Sequence, residues 1–363
     1  MKESASLGII PRMMSLKYSS DLSAQGSLRL RPFAEDTDFP LMADVANASF
    51  AADGIDSVRR AEDMRRDYAA MTRFDPSSDV VMAELDGRLV GYARTLDWTT
   101  AEGLFVQGQI AFVHPMYRRR GVGNSILQWL EGRQREIARD RDRAGAMTTL
   151  HHAFVTEGER DRADLLSKAG YQVIRYFLNM ERPTLDSIPE FPLPAGFEVR
   201  PVQPDHLRAI YDAHMHALKD VWGYSPPPPT DFDDWMKSRT FQPHLWQVAW
   251  HLESNEIAGQ VKPWIDVEQN ETQHRKRGYT EFISVGSSWR RRGLARALVV
   301  RALQAQKEVG MLESALSVDG ESAFSAVRIY EDCGFVVVKR NAAYRKPVEL
   351  TFPLKFDTIP PIS

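Results

Sequence analysis

Four landmarks recur in the same order within this chain, and that repetition constrains the fold more than any other feature. Leu28-Arg29-Leu30-Arg31-Pro32 returns as Phe197-Glu198-Val199-Arg200-Pro201, 169 residues later. Val90-Gly91 returns as Ala258-Gly259 after 168 residues. Arg118-Arg119-Arg120-Gly121-Val122-Gly123 returns as Arg290-Arg291-Arg292-Gly293-Leu294-Ala295 after 172. Lys168-Ala169-Gly170-Tyr171 returns as Asp332-Cys333-Gly334-Phe335 after 164. Solenoid repeats span ~20–50 residues, so a period this long makes the repeated unit a whole domain. The chain reads as a tandem duplication, with one copy at 27–183 and the other at 197–363. Between them, 184–196 holds three prolines and ends in Gly196. Prolines remove backbone donors and break helices, so this stretch reads as a semi-rigid linker. Residues 1–26 carry no periodicity and read as a loosely held extension.

Within each copy, strand and helix signals alternate. The first predicts a strand at 28–32, helices near 36–50 and 57–72, and a hairpin turning at Asp86-Gly87. A strand at 109–113, a helix over 121–139, a strand near 148–155, a helix around 160–168 and a strand at 173–180 follow. The second predicts a strand at 281–285, a helix at 293–309, a strand at 314–318, a helix at 322–332 and a strand at 335–339. The fold class is α/β (α+β), two tandem domains with mixed sheets.

Composition narrows the function. There are 46 Lys+Arg against 49 Asp+Glu, a net charge of −3. A dedicated nucleic-acid binder carries a basic excess instead. The single cysteine, Cys333, cannot form an intrachain disulfide, which fits a reducing compartment such as the cytoplasm. No apolar run approaches the ~20 residues of a membrane span. The N-terminal stretch lacks the apolar core of a signal peptide. The nine histidines show no ligand spacing, so no metal is expected, and His151-His152 read as strand or loop residues. Pro226 to Pro229 read as a surface loop, with a polyproline ligand as the alternative.

The chemistry concentrates at the two Arg-Arg-Arg-Gly-x-Gly/Ala junctions. Each follows an apolar strand and opens a helix. Small residues there let several backbone N–H groups face one point at a helix N-terminus, which suits an anion such as a pyrophosphate. Adjacent arginines add positive charge.

A strand, then Arg-x-x-Gly-x-Gly/Ala, a helix, a further strand and Tyr-x-x-x-Gly-Phe resembles the GNAT superfamily of acyl-CoA-dependent N-acyltransferases. Phe282 to Val285 and Arg290 to Leu298 look like its acyl-CoA-binding motif, and Leu316 to Asp319 with Ile329 to Phe335 like the motif that follows. Phe112 to Gly123 match equally well in the first copy. The resemblance implies a splayed gap between the fourth and fifth strands that takes the acyl-pantetheine of acetyl-CoA, used as co-substrate without a metal. It implies cofactor contacts at Val113, Arg118, Arg119, Arg120, Gly121, Val122 and Gly123, and at Val285, Arg290, Arg291, Arg292, Gly293, Leu294 and Ala295. Ser322 stands where the family often has asparagine; it is placed to bond the pantetheine or to cap the following helix.

The copies differ where catalysis is decided. N-acylation needs a neutral amine, stabilisation of the oxyanion and a group to meet the departing thiolate. The family's tyrosine is present as Tyr330, but the first copy has Leu166 in that place. The candidate carboxylate base is Glu281, nine residues before Arg290; its counterpart before Arg118 is Gln109. Two losses in one copy make the second the expected catalyst. Each role has a structural alternative: Tyr330 as ring packing, Glu281 as a surface ion pair, the arginines as a solvated face, Cys333 as a small filler. His214, His216, Asp220, Trp222, Tyr224, Trp235 and Trp246 are candidates for the acceptor side, where aromatic rings can grip an amine by cation–π contact or serve as core. The expected activity is transfer of an acetyl or short acyl group to a primary amine of a small molecule or peptide. The alternative is a non-catalytic acyl-CoA-binding or sensing module. Oligomeric state is left open.

Overall fold

The computed structural model describes residues 27–348, apart from residue 72, residues 142–146 and residues 322–325. The extension at 1–26 and Ser322 lie outside the described residues. The N-terminal half runs β1 (Leu28–Pro32), α1 (Glu35–Ala52), α2 (Ala61–Ala70), α3 (Pro76–Asp79), β2 (Val80–Leu85), β3 (Arg88–Thr99) and β4 (Phe105–Val113). It continues through α4 (Val122–Arg141), β5 (Thr149–Thr156), α5 (Arg160–Lys168) and β6 (Gln172–Arg182). The C-terminal half runs β7 (Phe197–Arg200), α6 (Leu207–Leu218), α7 (Asp231–Met236), β8 (Gln247–His251), β9 (Ile257–Val261), α8 (Val267–Thr272) and β10 (Arg277–Tyr279). It ends with β11 (Ser284–Val285), α9 (Leu294–Glu308), β12 (Glu313–Asp319), α10 (Ala326–Asp332) and β13 (Val336–Pro347).

The two halves do not keep their strands to themselves. One nine-stranded sheet has the order β1-β2-β3-β4-β5-β13-β6-β12-β10, and a four-stranded sheet has the order β11-β9-β8-β7. β13, from the C-terminal half, lies antiparallel to β5 with Ala343 opposite Phe154 and Arg345 opposite His152. Its other edge pairs with β6, and β6 in turn pairs with β12, Met180 opposite Leu316. Each half thus completes its sheet with the last strand of the other.

Parallel pairing of β4 with β5 stops at Gln109 opposite Ala153, although both strands continue. That divergence is the expected splay. In the C-terminal half, β10 pairs with β12 through Tyr279 opposite Ala315. The expected strand at 281–285 is broken there. Thr280 N still bonds Ala315 O at 2.8 Å, but past it the chain leaves β12. Glu281 O accepts from Lys262 N at 3.0 Å, Phe282 takes a φ of 52°, and Ser284–Val285 form a short strand against β9. A left-handed residue is the mark of a bulge, which re-aims the side chains beside it.

The linker also differs from expectation. Leu185 is buried and donates its N–H to Leu312 O at 2.8 Å, while Ile188, Phe191 and Leu193 pack against the C-terminal core. Its apolar residues alternate with the prolines, so it lies on the protein rather than spanning solvent.

Because β13 carries ladder bonds on both edges, it binds the halves into one cooperative unit. Ala343→Pro, at a fully buried position in its centre, should remove a ladder donor and lower stability by at least ~2 kcal/mol. Urea unfolding followed by tryptophan fluorescence should still show one transition; independent unfolding of the halves would refute the coupling.

Candidate active site

In both halves a short 3-10 turn (Pro115–Tyr117, Ser287–Trp289) leads through the arginine run into a helix. The backbone takes the same path twice. Arg119 and Gly121 have φ of 60° and 84°, and Arg291 and Gly293 have 63° and 85°. Left-handed residues placed between ordinary ones curl the chain so that successive N–H groups converge, a geometry that holds anions. Glycine takes that conformation at 121 and 293 without the strain that Arg119 and Arg291 bear.

The first arginine of each run is committed elsewhere. Arg118 forks onto Asp53 at 2.6 and 2.7 Å and reaches Ser49 Oγ at 2.7 Å and Val113 O at 3.3 Å, clamping the loop to the end of α1. Arg290 repeats the clamp at the end of α6, with Val285 O at 3.1 Å, Ala217 O at 3.3 Å and Asp220 at 2.9 Å. Arg119 bonds Asp161 at 2.7 Å and Asp164 at 3.2 Å. Arg120 and Arg292 lie over the rings of Tyr117 and Trp289 at 5.5 and 5.2 Å. Arg291 and Arg292 are exposed. Val122 and Leu294 are 1% exposed and turn into the core, so only their backbones face the loop. Ala295 is half-buried in the first turn of α9.

At the N-terminal splay lies a cleft of about 270 Å³, lined by Ala111, Val113, Gly121, Gly123, Leu127 and Leu166 among others. Its walls are mostly apolar, its rim carries the clamped loop, and Gln109, Asn124, Asp161 and Asp164 also line it. A Cβ on Gly123 would stand 3.2 Å from Leu165, so the cleft is shaped by that small residue. Gln109 is buried and donates from Nε2 to Tyr171 Oη at 3.1 Å. Neither Gln109 nor Leu166 has a group that titrates.

The C-terminal half differs at both places. Glu281 sits in the break between β10 and β11. Its Oε2 accepts from Trp264 Nε1 at 3.0 Å, and the Trp264 ring stacks on Tyr279 at 4.5 Å. Burial raises the Glu281 carboxyl above its ordinary range, against a smaller lowering by the Trp264 bond. Tyr330 is 7% exposed, in a cluster that includes Leu294, Val318 and Val285. Burial, with Cys333 adding to it, pushes its phenol above the usual value. Cys333 is fully buried and its thiol is pushed up to about 11 by burial, so it is a neutral filler.

The expected acceptor residues separate into two groups. Trp235 and Trp246 stack at 5.2 Å in the C-terminal half, and His214 is buried with its Nδ1 3.0 Å from Ser284 Oγ. Trp222 and Tyr224 turn to the N-terminal half, where Tyr224 O accepts from Ala101 N at 2.8 Å. Asp220 joins the Arg290 clamp.

Sequence reasoning missed Lys262. It is 2% exposed, with Nζ over the rings of Trp235, Phe282 and Trp246 at 5.0, 5.4 and 5.7 Å. Burial pushes its amine down to about 7. The signal was present in the repeat: 168 residues earlier stands Arg94, over Tyr68 at 5.1 Å and Phe74 at 5.8 Å.

The raised Glu281 pKa fixes a stability prediction. Its folded pKa lies above the unfolded value, so the ionised carboxylate costs stability above the folded pKa and nothing below the unfolded one. Glu281→Gln should therefore stabilise the protein at pH 7–8 and lose that advantage toward pH 4, as read by thermal unfolding. A destabilised variant at pH 8 would mean the carboxylate is held by a favourable bond instead.

The family models agree with this geometry. Residues 207–335 match the Acetyltransferase (GNAT) family and residues 76–173 match an Acetyltransferase (GNAT) domain. The mycothiol acetyltransferase of Salinispora arenicola is 26% identical over 324 residues, spanning 85% of this chain and 94% of its own. That of Kineococcus radiotolerans is 27% identical over 277 residues, 71% of this chain and 78% of its own. Among solved structures, a GCN5-related N-acetyltransferase from Sphaerobacter thermophilus superimposes with a TM-score of 0.69 at 26% identity, covering 90% of this chain and 98% of that one. A tandem GNAT protein from the clavulanic acid biosynthesis pathway shares the fold, with a TM-score of 0.59 at 18% identity over 90% of this chain and all of its own. The chain belongs to the GNAT acetyltransferase family, an acyltransferase carrying two such domains in tandem.

Proposed function

We propose that this protein transfers the acetyl group of acetyl-CoA to a primary amine, and that the chemistry takes place in the C-terminal half. The observation that carries this reading is Glu281. It is a half-buried carboxylate with a raised pKa, at the break beside the splay, where the N-terminal half has a glutamine locked to Tyr171. A base must take a proton from the amine, and a carboxylate tuned upward does so better than an ordinary one. Acetyl-CoA supplies the activated thioester. The converging backbone amides at 291–295, with Arg291 and Arg292, suit its pyrophosphate.

Tyr330 faces the thiolate as a hydrogen-bond donor. A phenol of pKa ~10 giving its proton to a thiolate of ~8.5 is uphill by ~1.5 units, about 2 kcal/mol. Burial of Tyr330 raises that barrier further, which favours donation over full transfer. The name borne by the relatives favours a small-molecule amine over a peptide as acceptor.

The N-terminal half supports a second, narrower reading. Its apolar cleft and anion loop suit an acyl-CoA, while Gln109 and Leu166 give it no means of turnover. It would hold the ligand without reacting it.

A thiol-release assay with acetyl-CoA and an amine library tests the enzyme; binding without release across a broad panel would leave only a sensing module. Tyr330→Phe should keep CoA affinity and lower kcat ~10²–10⁴-fold, and Leu166→Tyr should restore nothing. An unchanged kcat in Tyr330→Phe would make the tyrosine structural. Calorimetry should find up to two acyl-CoA sites per chain, one weakened by Gly121→Val and the other by Gly293→Val. A single site abolished by Gly121→Val alone would remove the C-terminal assignment.

A further inference from the structure

We infer that Arg345 and His152, under the ring of Trp222 at the seam between the halves, form a subsite for the carboxylate of a small molecule. On the amine-acetylation reading above, that carboxylate belongs to the acceptor. The strand exchange creates the site. Arg345 on β13 is paired with His152 on β5, and both alternate away from the face where Ala153, Tyr344 and Leu166 pack together. Trp222 arrives from the loop after α6, pinned to the β3–β4 turn by Ala101 N to Tyr224 O and by Ser225 Oγ to Thr99 O at 2.7 Å.

The donors at this seam exceed the acceptors. Arg345 is 5% exposed, yet no described carboxylate lies within ion-pair distance of it. Its Nε donates to His152 Nδ1 at 3.4 Å, its guanidinium lies 4.5 Å from the Trp222 ring, and its terminal amino groups bond no described residue. The neighbouring Arg175, 5.0 Å from the same ring, is satisfied by Asp319 at 2.7–2.9 Å. His152 is 2% exposed, and because Nδ1 accepts from Arg345, the proton sits on Nε2. That Nε2 has no hydrogen-bond partner among the described residues. Trp98 and Phe154 meet the imidazole edge-on at 5.4 and 4.7 Å and fix its plane.

A buried guanidinium without an anion and a buried N–H without an acceptor each cost free energy that a ligand supplying both partners would recover. Burial pushes Arg345 down to about 10, which records that cost, and Glu102 at the exposed β3–β4 turn offsets it only through space. One planar cation and one neutral N–H match a monoanionic, two-oxygen ligand, to which guanidinium binds by its fork. A phosphate dianion would need more charge than this seam offers. The half-exposed Phe154, edge-on to His152, forms the solvent side of the seam. The place also suits an acceptor: β5 diverges from β4 just after Ala153, and β12 runs past its last contact with β10 to Asp319, so both splays border the seam.

Calorimetric titration of the full chain, with CoA present, tests the subsite. The probes are amino acids paired with their carboxamides (glycine, L-alanine, L-cysteine, L-glutamine), with acetate and acetamide as the smallest pair. The acids should bind at least ~10-fold tighter than the amides. Arg345→Gln should abolish that preference, Arg345→Lys should reduce it by removing the fork, and His152→Phe should reduce it while keeping the ring contacts. Should Arg345→Gln fail to fold, the lysine variant decides. A wild-type chain without acid preference, a preference undiminished in both Arg345 variants, or inorganic phosphate competing better than acetate overturns the inference. Acid preference without thiol release would refute the acetyltransfer reading and keep the subsite; release indifferent to the carboxylate would do the reverse.

Discussion

The pairing of β13 between β5 and β6 is the constraint on which the rest of this molecule depends. A sheet edge left unpaired exposes a row of donors and acceptors, and each half has such an edge where its own chain moves away. Exchange closes both edges at once. It also brings side chains together that are far apart in sequence: Arg345 beside His152, and Arg175 beside Asp319. The seam is therefore a product of the duplication and has no counterpart in a single domain.

Around that frame the copies have kept their structural devices and diverged in their reactive ones. The clamp of Arg118 on Asp53 reappears as Arg290 on Asp220, at the end of the matching helix. Gln134, fully buried, donates to Gly108 O at 2.8 Å, and Gln306, also fully buried, donates to Thr280 Oγ1 at 2.8 Å. Each glutamine ties a helix to the strand before the splay. By contrast, Gln109 stands where Glu281 does, and the continuous β4 stands where the C-terminal half breaks at 280–283. The break is what lets Glu281 reach Trp264 rather than follow the strict alternation of a strand.

Much of this was legible in the sequence because it is local. The helix read over 121–139 is observed at Val122–Arg141, and the strand read near 148–155 at Thr149–Thr156. The glycine-and-arginine loops were found where the backbone curls. What was not legible is non-local or depends on side-chain direction. Alternation along 172–182 or 336–347 is the same whichever strands flank it, so exchange left no local mark. An arginine run advertises charge but not that its first member turns back to the preceding helix. The Phe282 bulge has no glycine to announce it. The linker's prolines spoke louder than Leu185, Ile188 and Phe191, whose apolar faces seat it on the core.

Burial acts differently on the matching side chains of the two halves, and this supports placing the proposed chemistry in the C-terminal one. In the C-terminal half, desolvation raises Glu281 and lowers Lys262, moving each toward its neutral form. Both are brought closer to neutral pH, where a group can exchange a proton without a large cost. In the N-terminal half the equivalent places hold Gln109, which does not titrate, and Arg94, which keeps its proton even where burial lowers it. The packing around each cation is alike, with rings of Tyr68 and Phe74 in one half and Trp235, Trp246 and Phe282 in the other. The buried Lys262 is thus a labile charge where the half-buried Arg94 is a fixed one. On the proposed reading, the capacity for acid–base chemistry follows from which side chains stand at these places, Glu281 and Lys262 against Gln109 and Arg94.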